Sequence, residues 1–173
     1  MSSAATRTAR IDRPTNAFRI LVAAASIPMA VLVALWVAGG RVLFGVGGQL
    51  TLLLGLTLAP VLFILLLLAG VRTTATAARY RPFAASAGTS AVLAGAWLTA
   101  LGFGFTVPDF GPAGGSVMSR LLGEAALGVS TALCNPLGII SVGLAIAAVV
   151  MAYRDARRTS RLLRGLPERE PED

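Results

Sequence analysis

Residues 49–71 read QLTLLLGLTLAPVLFILLLLAGV and carry no charged side chain over 23 positions. At about 1.5 Å rise per residue, a helix of that length spans the ~30 Å hydrocarbon core of a bilayer. The stretch reads as a transmembrane helix, and the rest of the chain reads as further spans with basic segments that orient them. Pro60 removes a backbone donor and disturbs the carbonyl of Leu56. A membrane helix tolerates that defect where a hydroxyl such as that of Thr57 compensates, so a bend is expected there.

Working back from this span, residues 39–48 form a glycine-rich turn whose only charge is Arg41. Before it, residues 18–38 make a first span in which Ser26, Ala30, Ala34 and Ala38 recur every four positions, a small-residue ridge that lets another helix approach closely. Trp36 and Phe44 are expected near the far interface. Residues 1–17 are polar and basic and read as a disordered tail. A basic start before an apolar run resembles a secretory signal, but the run exceeds the usual core of about 7–15 residues and no small-x-small site closes it, so an uncleaved anchor is expected.

Working forward, Arg72, Arg79 and Arg81 define a basic loop closed by Pro82. A third span follows over residues 83–105, with Ala87, Ala91, Gly95 and Thr99 at four-residue spacing as the best candidate for the tightest helix contact. The loop TVPDFGPAGG leads to Ser116, which can cap an amphipathic helix over residues 116–130. That helix would set Met118, Leu121, Leu122, Ala125 and Val129 on one face and Arg120 and Glu124 on the other, and so lie on the bilayer surface or cap the mouth of the bundle.

The fourth span is read over residues 136–153, with Asn135 as N-cap and Pro136 as the first helical residue. The competing reading runs from Val129 through a proline kink. Ser141 and Ala145 supply its small residues. Residues 154–173 begin as a basic juxtamembrane helix in which Arg154, Arg157, Arg158, Arg161 and Arg164 face anionic lipid headgroups while Leu162, Leu163 and Leu166 fall on the other side. A solvated basic stop-transfer tail fits the same residues. The acidic end from residue 167 reads as disordered.

Taken together the chain is all-α: a polytopic membrane protein with a four-helix transmembrane bundle and an extracytoplasmic amphipathic helix between spans three and four. Thirteen arginines flank one side of the spans and two, Arg41 and Arg120, the other. By the positive-inside rule both termini are cytoplasmic, in the inner (plasma) membrane. Arginine to the exclusion of lysine points to a GC-rich bacterial genome. The net charge of +7 is explained by topology and anionic lipid rather than nucleic acid. Spans one and three also align at an offset of 61 residues, AVLVALW against AVLAGAW, as a duplicated hairpin would.

Histidine is absent and Cys134 is the only cysteine, which excludes histidine acid–base catalysis, Cys/His metal sites and an intramolecular disulfide. Every acidic residue is read into a loop or tail, and only Asp109, Arg120 and Glu124 could gather on the outer face. No enzyme activity and no cofactor are therefore expected. The reading is a non-catalytic subunit, assembly factor or scaffold, working with lipid and with a membrane protein partner or a second copy of itself. The alternative is a small oligomeric transporter or channel lined by backbone carbonyls, threonines and Asn135.

Overall fold

The computed structural model describes residues 11, 12, 14–110 and 114–166. The readings of residues 1–10 and 167–173 as disordered lie outside the described residues. The chain is mostly helical. In order it forms a two-residue strand β1 (Ile11–Asp12), helix α1 (Ala17–Gly39) continued by a 3-10 turn (Gly40–Phe44), α2 (Gln49–Leu56), α3 (Leu58–Ala77), strand β2 (Tyr80–Arg81), α4 (Ala87–Thr106), α5 (Val117–Leu122) and α6 (Ala126–Leu163). Among the described residues, four segments are long and apolar enough to cross a membrane: Ala17–Phe44, Gln49–Ala77, Ala87–Thr106 and Ala126–Leu163.

Local chemistry sets the boundaries. Asn16 caps α1 by accepting the Arg19 amide at 3.1 Å, and Ser86 caps α4 by accepting that of Thr89 at 3.2 Å. The expected bend near Pro60 is a break: Thr57, at φ −116° and ψ −77°, separates α2 from α3, and its hydroxyl donates to the Leu53 carbonyl at 2.6 Å. The second apolar segment continues to Ala77, past residue 71, because nothing in VRTTATA stops a helix. Pro82 follows a cis peptide bond, and α4 starts only after Ser86 rather than at residue 83. Ile11 and Asp12, placed by sequence in a disordered tail, pair in parallel with Tyr80 and Arg81.

Two expectations around α6 are corrected. It runs unbroken from Ala126 to Leu163 with Pro136 in its interior, so Asn135 and Pro136 are not its start. Its first turns are held upstream of the proline: the buried Ser130 donates to the Thr106 carbonyl and shares a hydrogen bond with the Ser116 hydroxyl. Those contacts offset the single backbone bond that Pro136 forfeits. The amphipathic helix expected over residues 116–130 is two pieces, because Gly123, at φ +91°, ends α5 one turn before α6 begins. Arg120 and Glu124 consequently belong to no common helix.

The helices close in a ring, α1 on α3, α3 on α6, α6 on α4 and α4 on α1. The level midway along them is filled by apolar side chains that include Ala30, Val33, Leu62, Leu93, Ala96 and Ala145. Of the residues singled out for packing, Ala30, Ser141 and Ala145 are fully buried and Ala34 is half-buried. Ala87 and Ala91 are exposed.

A different spacing governs the α4–α6 contact. Gly88, Gly95 and Gly102 recur every seven residues and face Met151, Leu144 and Leu137, which recur every seven in the opposite direction. Seven residues return a helix to within about 20° of the same direction, whereas each step of four drifts by about 40°. Ala87 and Ala91 of the four-residue ridge rotate off the interface, while Gly95, which both spacings share, stays on it against Leu144.

Candidate functional sites at the two ends of the helices

The end reached by α1 and left by α2 carries a buried ion pair. Arg41, in the 3-10 turn, is 1% exposed, and its Nη1 lies 3.5 Å from Oδ2 of Asp109 in the α4–α5 loop. Among the described residues this is the only ion pair between side chains. None of the three guanidinium nitrogens has a hydrogen-bond partner there. Asp109, by contrast, is fully engaged: its Oδ1 accepts the amides of Leu50 at 3.2 Å and Phe110 at 2.8 Å, and its Oδ2 accepts the Thr51 hydroxyl at 3.1 Å.

That carboxylate caps α2 from 59 residues away. The local cap position is Gly48, which has no side chain to offer. A Cβ on Gly48 would lie 2.6 Å from Asp109 Oδ1, so glycine is what leaves room for the remote carboxylate. Burial pushes the Asp109 carboxyl up, but the two amides, the Thr51 hydroxyl and the Arg41 guanidinium outweigh it and hold it below the usual carboxylate range. The sequence by itself places Arg41 as the one charge of a turn and lets Asp109 gather only with Arg120 and Glu124, not with Arg41. The signal available is that two loops at one end, both rich in glycine, carry one charge each and of opposite sign.

The same end is tied by Trp36, whose indole N–H donates to the Leu101 carbonyl at 2.9 Å. Its ring lies edge-on to Phe44 with centroids 6.0 Å apart. The matching residue of the suspected repeat, Trp97, has a buried indole nitrogen without a partner, so the two tryptophans occupy different environments.

At the opposite end an acid again reaches a helix start. Asp155 of α6 accepts from the Ser86 hydroxyl and, at 2.6 Å, from the Thr89 hydroxyl, placing a carboxylate over the N-terminus of α4 where the helix dipole favours it. Tyr80 shares a hydrogen bond with the fully buried Thr159 at 2.8 Å. Arg19 donates to the carbonyls of Ala85 and Pro14 at 2.9 and 2.7 Å. These contacts knit the segment before α1, the α3–α4 connection and the end of α6 into one ordered layer.

The arginines assigned to lipid headgroups divide in two. Arg157, Arg161 and Arg164 line a hollow of about 520 Å³ together with Tyr153 and Ser160 of α6 and Arg72 of α3. Arg154 and Arg158 are exposed further round α6, outside the hollow. By sequence Arg72 belongs to a loop. The extension of α3 to Ala77 puts its guanidinium carbon 4.5 Å from the centroid of the Tyr153 ring, a cation–π contact between two helices. Leu162, Leu163 and Leu166 are exposed. Comparison with protein-family models, with curated proteins and with solved structures gives no match for the chain.

Proposed function

We propose that the chain is a four-span bacterial inner-membrane protein with both termini cytoplasmic. In this reading it acts without catalysis, as a small subunit, assembly factor or scaffold, through helix packing and a basic cytoplasmic face that meets anionic lipid. The observation that carries the reading is the distribution of polar groups. Charge is concentrated at the two ends of the helices, in the Arg41–Asp109 pair and in the Asp155 and arginine layer, while the level between them is filled by apolar side chains with uncharged hydroxyls such as that of Ser141. Ion and proton pathways are ordinarily marked by ionisable groups at that level, and none is described there. The transport alternative therefore has the weaker support.

The experiment is purification from the native membrane in mild detergent. A stoichiometric protein partner is the expected result. A self-oligomer retaining a small bound molecule would replace this reading with the transport one.

The arrangement in the membrane has its own test. In a Cys134→Ala background, Ala78→Cys and Leu166→Cys are expected to resist an impermeant thiol reagent in intact cells, and Gly114→Cys to react, all three positions being exposed in the fold. Reaction at residue 78 from outside would rule out the proposed orientation.

A further inference from the structure

We propose that the hollow between α3 and α6 is a phosphate-binding site, occupied in the membrane by the headgroup of an anionic lipid, with a phosphomonoester preferred over a phosphodiester. The inference rests on the reading that this end faces anionic headgroups. It goes further in naming a bounded site, its residues and the chemistry it selects.

Four arginines, Arg72, Arg157, Arg161 and Arg164, line one hollow of about 520 Å³. Like charges gathered in this way repel, and an anion placed among them turns the repulsion into attraction. The planar guanidinium fork matches the tetrahedral oxygens of phosphate better than a point charge does. Several cations around one anion favour a group bearing more than one negative charge, which is the basis for preferring the monoester.

Three observations separate this site from a uniformly solvated basic face. Arg72 comes from a different helix and is oriented by stacking on Tyr153 at 4.5 Å, so part of its side-chain freedom is already lost before binding. Ser160 accepts a hydrogen bond from Arg79 at 3.3 Å, which brings a fifth arginine to the rim and leaves the hydroxyl proton for an acceptor in the hollow. Finally, the acid nearest in the chain is turned away: Asp155 is held by Ser86 and Thr89 on the α4 side. No described carboxylate forms an ion pair with these arginines. Tyr153 lies where the apolar part of α6 gives way to its basic part, the depth at which aromatic rings and lipid phosphates meet.

The test uses the purified full chain in neutral-lipid nanodiscs. It is titrated with a diacylglycerol phosphomonoester, with a phosphodiester lipid carrying a glycerol headgroup and, in a separate arm, with inorganic phosphate, and bound lipid is read by native mass spectrometry. Saturable one-to-one retention of the phosphomonoester is expected, tighter than that of the phosphodiester. Arg72→Gln and Arg161→Gln should each weaken it about fivefold or more, the worth of one arginine at an anionic surface. Arg154→Gln and Arg158→Gln should leave it nearly unchanged. Arg164→Gln, at the exposed end of α6, gives the same test where a variant nearer the core fails to fold. Tyr153→Phe should retain binding and Tyr153→Leu should weaken it, because only the aromatic face orients Arg72.

Binding of inorganic phosphate with the same arginine dependence would assign the site to a soluble phosphate ligand instead of a lipid. Equal losses from Arg72→Gln and Arg158→Gln would overturn the site while leaving a diffuse attraction to anionic lipid in place. Failure to retain any anionic lipid would overturn both the site and the reading on which it rests.

Discussion

Asp109→Ala is expected to be among the most damaging single substitutions in this protein, costing about 3–5 kcal/mol as seen in thermal unfolding in detergent. It leaves the fully buried Arg41 without its counter-charge and the amides of Leu50 and Phe110 without their acceptor. Arg41→Met should cost less, because Asp109 keeps two amides and a hydroxyl after the guanidinium is gone. The double variant Arg41→Met, Asp109→Asn should cost much less than the sum of the single variants Arg41→Met and Asp109→Asn, since neither charge then remains buried. Additive losses in that cycle would show that the pair is not coupled.

Acid provides an independent handle on the same residue. The folded pKa of Asp109 is lowered, so its contribution to stability is complete above the unfolded value of about 3.9 and is lost as the pH falls through the lower folded value. The thermal midpoint should drop across that acid window in the native protein. In Asp109→Asn it should stay flat there.

Gly70→Ala is the second large effect. The added Cβ would sit 2.9 Å from the carbonyl oxygen of Ser26 and 3.3 Å from the amide nitrogen of Ile27. These are backbone atoms of α1, so relief requires the two helices to separate rather than a side chain to rotate. Overpacking of this kind costs about 1–3 kcal/mol, and Gly70→Leu should exceed it. Separation would also stretch the hydrogen bond between the hydroxyls of Ser26 and Thr74, at 3.0 Å in the native fold. Gly143→Ala is the control: it meets nothing within 4 Å, and alanine in a helix interior gains about 0.5–1 kcal/mol over glycine. A thermal midpoint for Gly70→Ala equal to that for Gly143→Ala would mean that α1 and α3 do not approach so closely.

Taken with the glycine seam of α4, these positions show that close backbone approach is used twice, with different partners. On the α1–α3 side the glycine meets main chain at Ser26. On the α4–α6 side, Gly95 and Gly102 admit the branched ends of Leu144 and Leu137, at 3.2 and 3.3 Å from where a Cβ would stand. The second arrangement is the more forgiving, because a leucine can change rotamer and a main-chain carbonyl cannot. Substitution to alanine should therefore be tolerated better at Gly95 than at Gly70.

The long apolar segments were legible because whether a stretch can cross a bilayer depends on its own length and charge, which the chain states directly. The disturbance near Pro60 and the helical continuation past Tyr153 follow equally from neighbours a few residues away, whereas the caps at Asn16 and Ser86 emerge only in the structure. Tertiary structure decided what depends on how the helices are rotated and ordered around the ring. It brought Arg41 to Asp109, set that carboxylate over the start of α2, and turned Arg72 onto Tyr153, contacts between residues 59 to 81 positions apart. It carried α6 through Pro136 because Ser130 is anchored by Thr106 and Ser116, partners that no local pattern around the proline contains. It also chose the seven-residue glycine seam over the four-residue ridge at Ala87 and Ala91. Both spacings are present in the sequence and share Gly95, and only the rotation of α4 against α6 selects the one that faces Met151, Leu144 and Leu137.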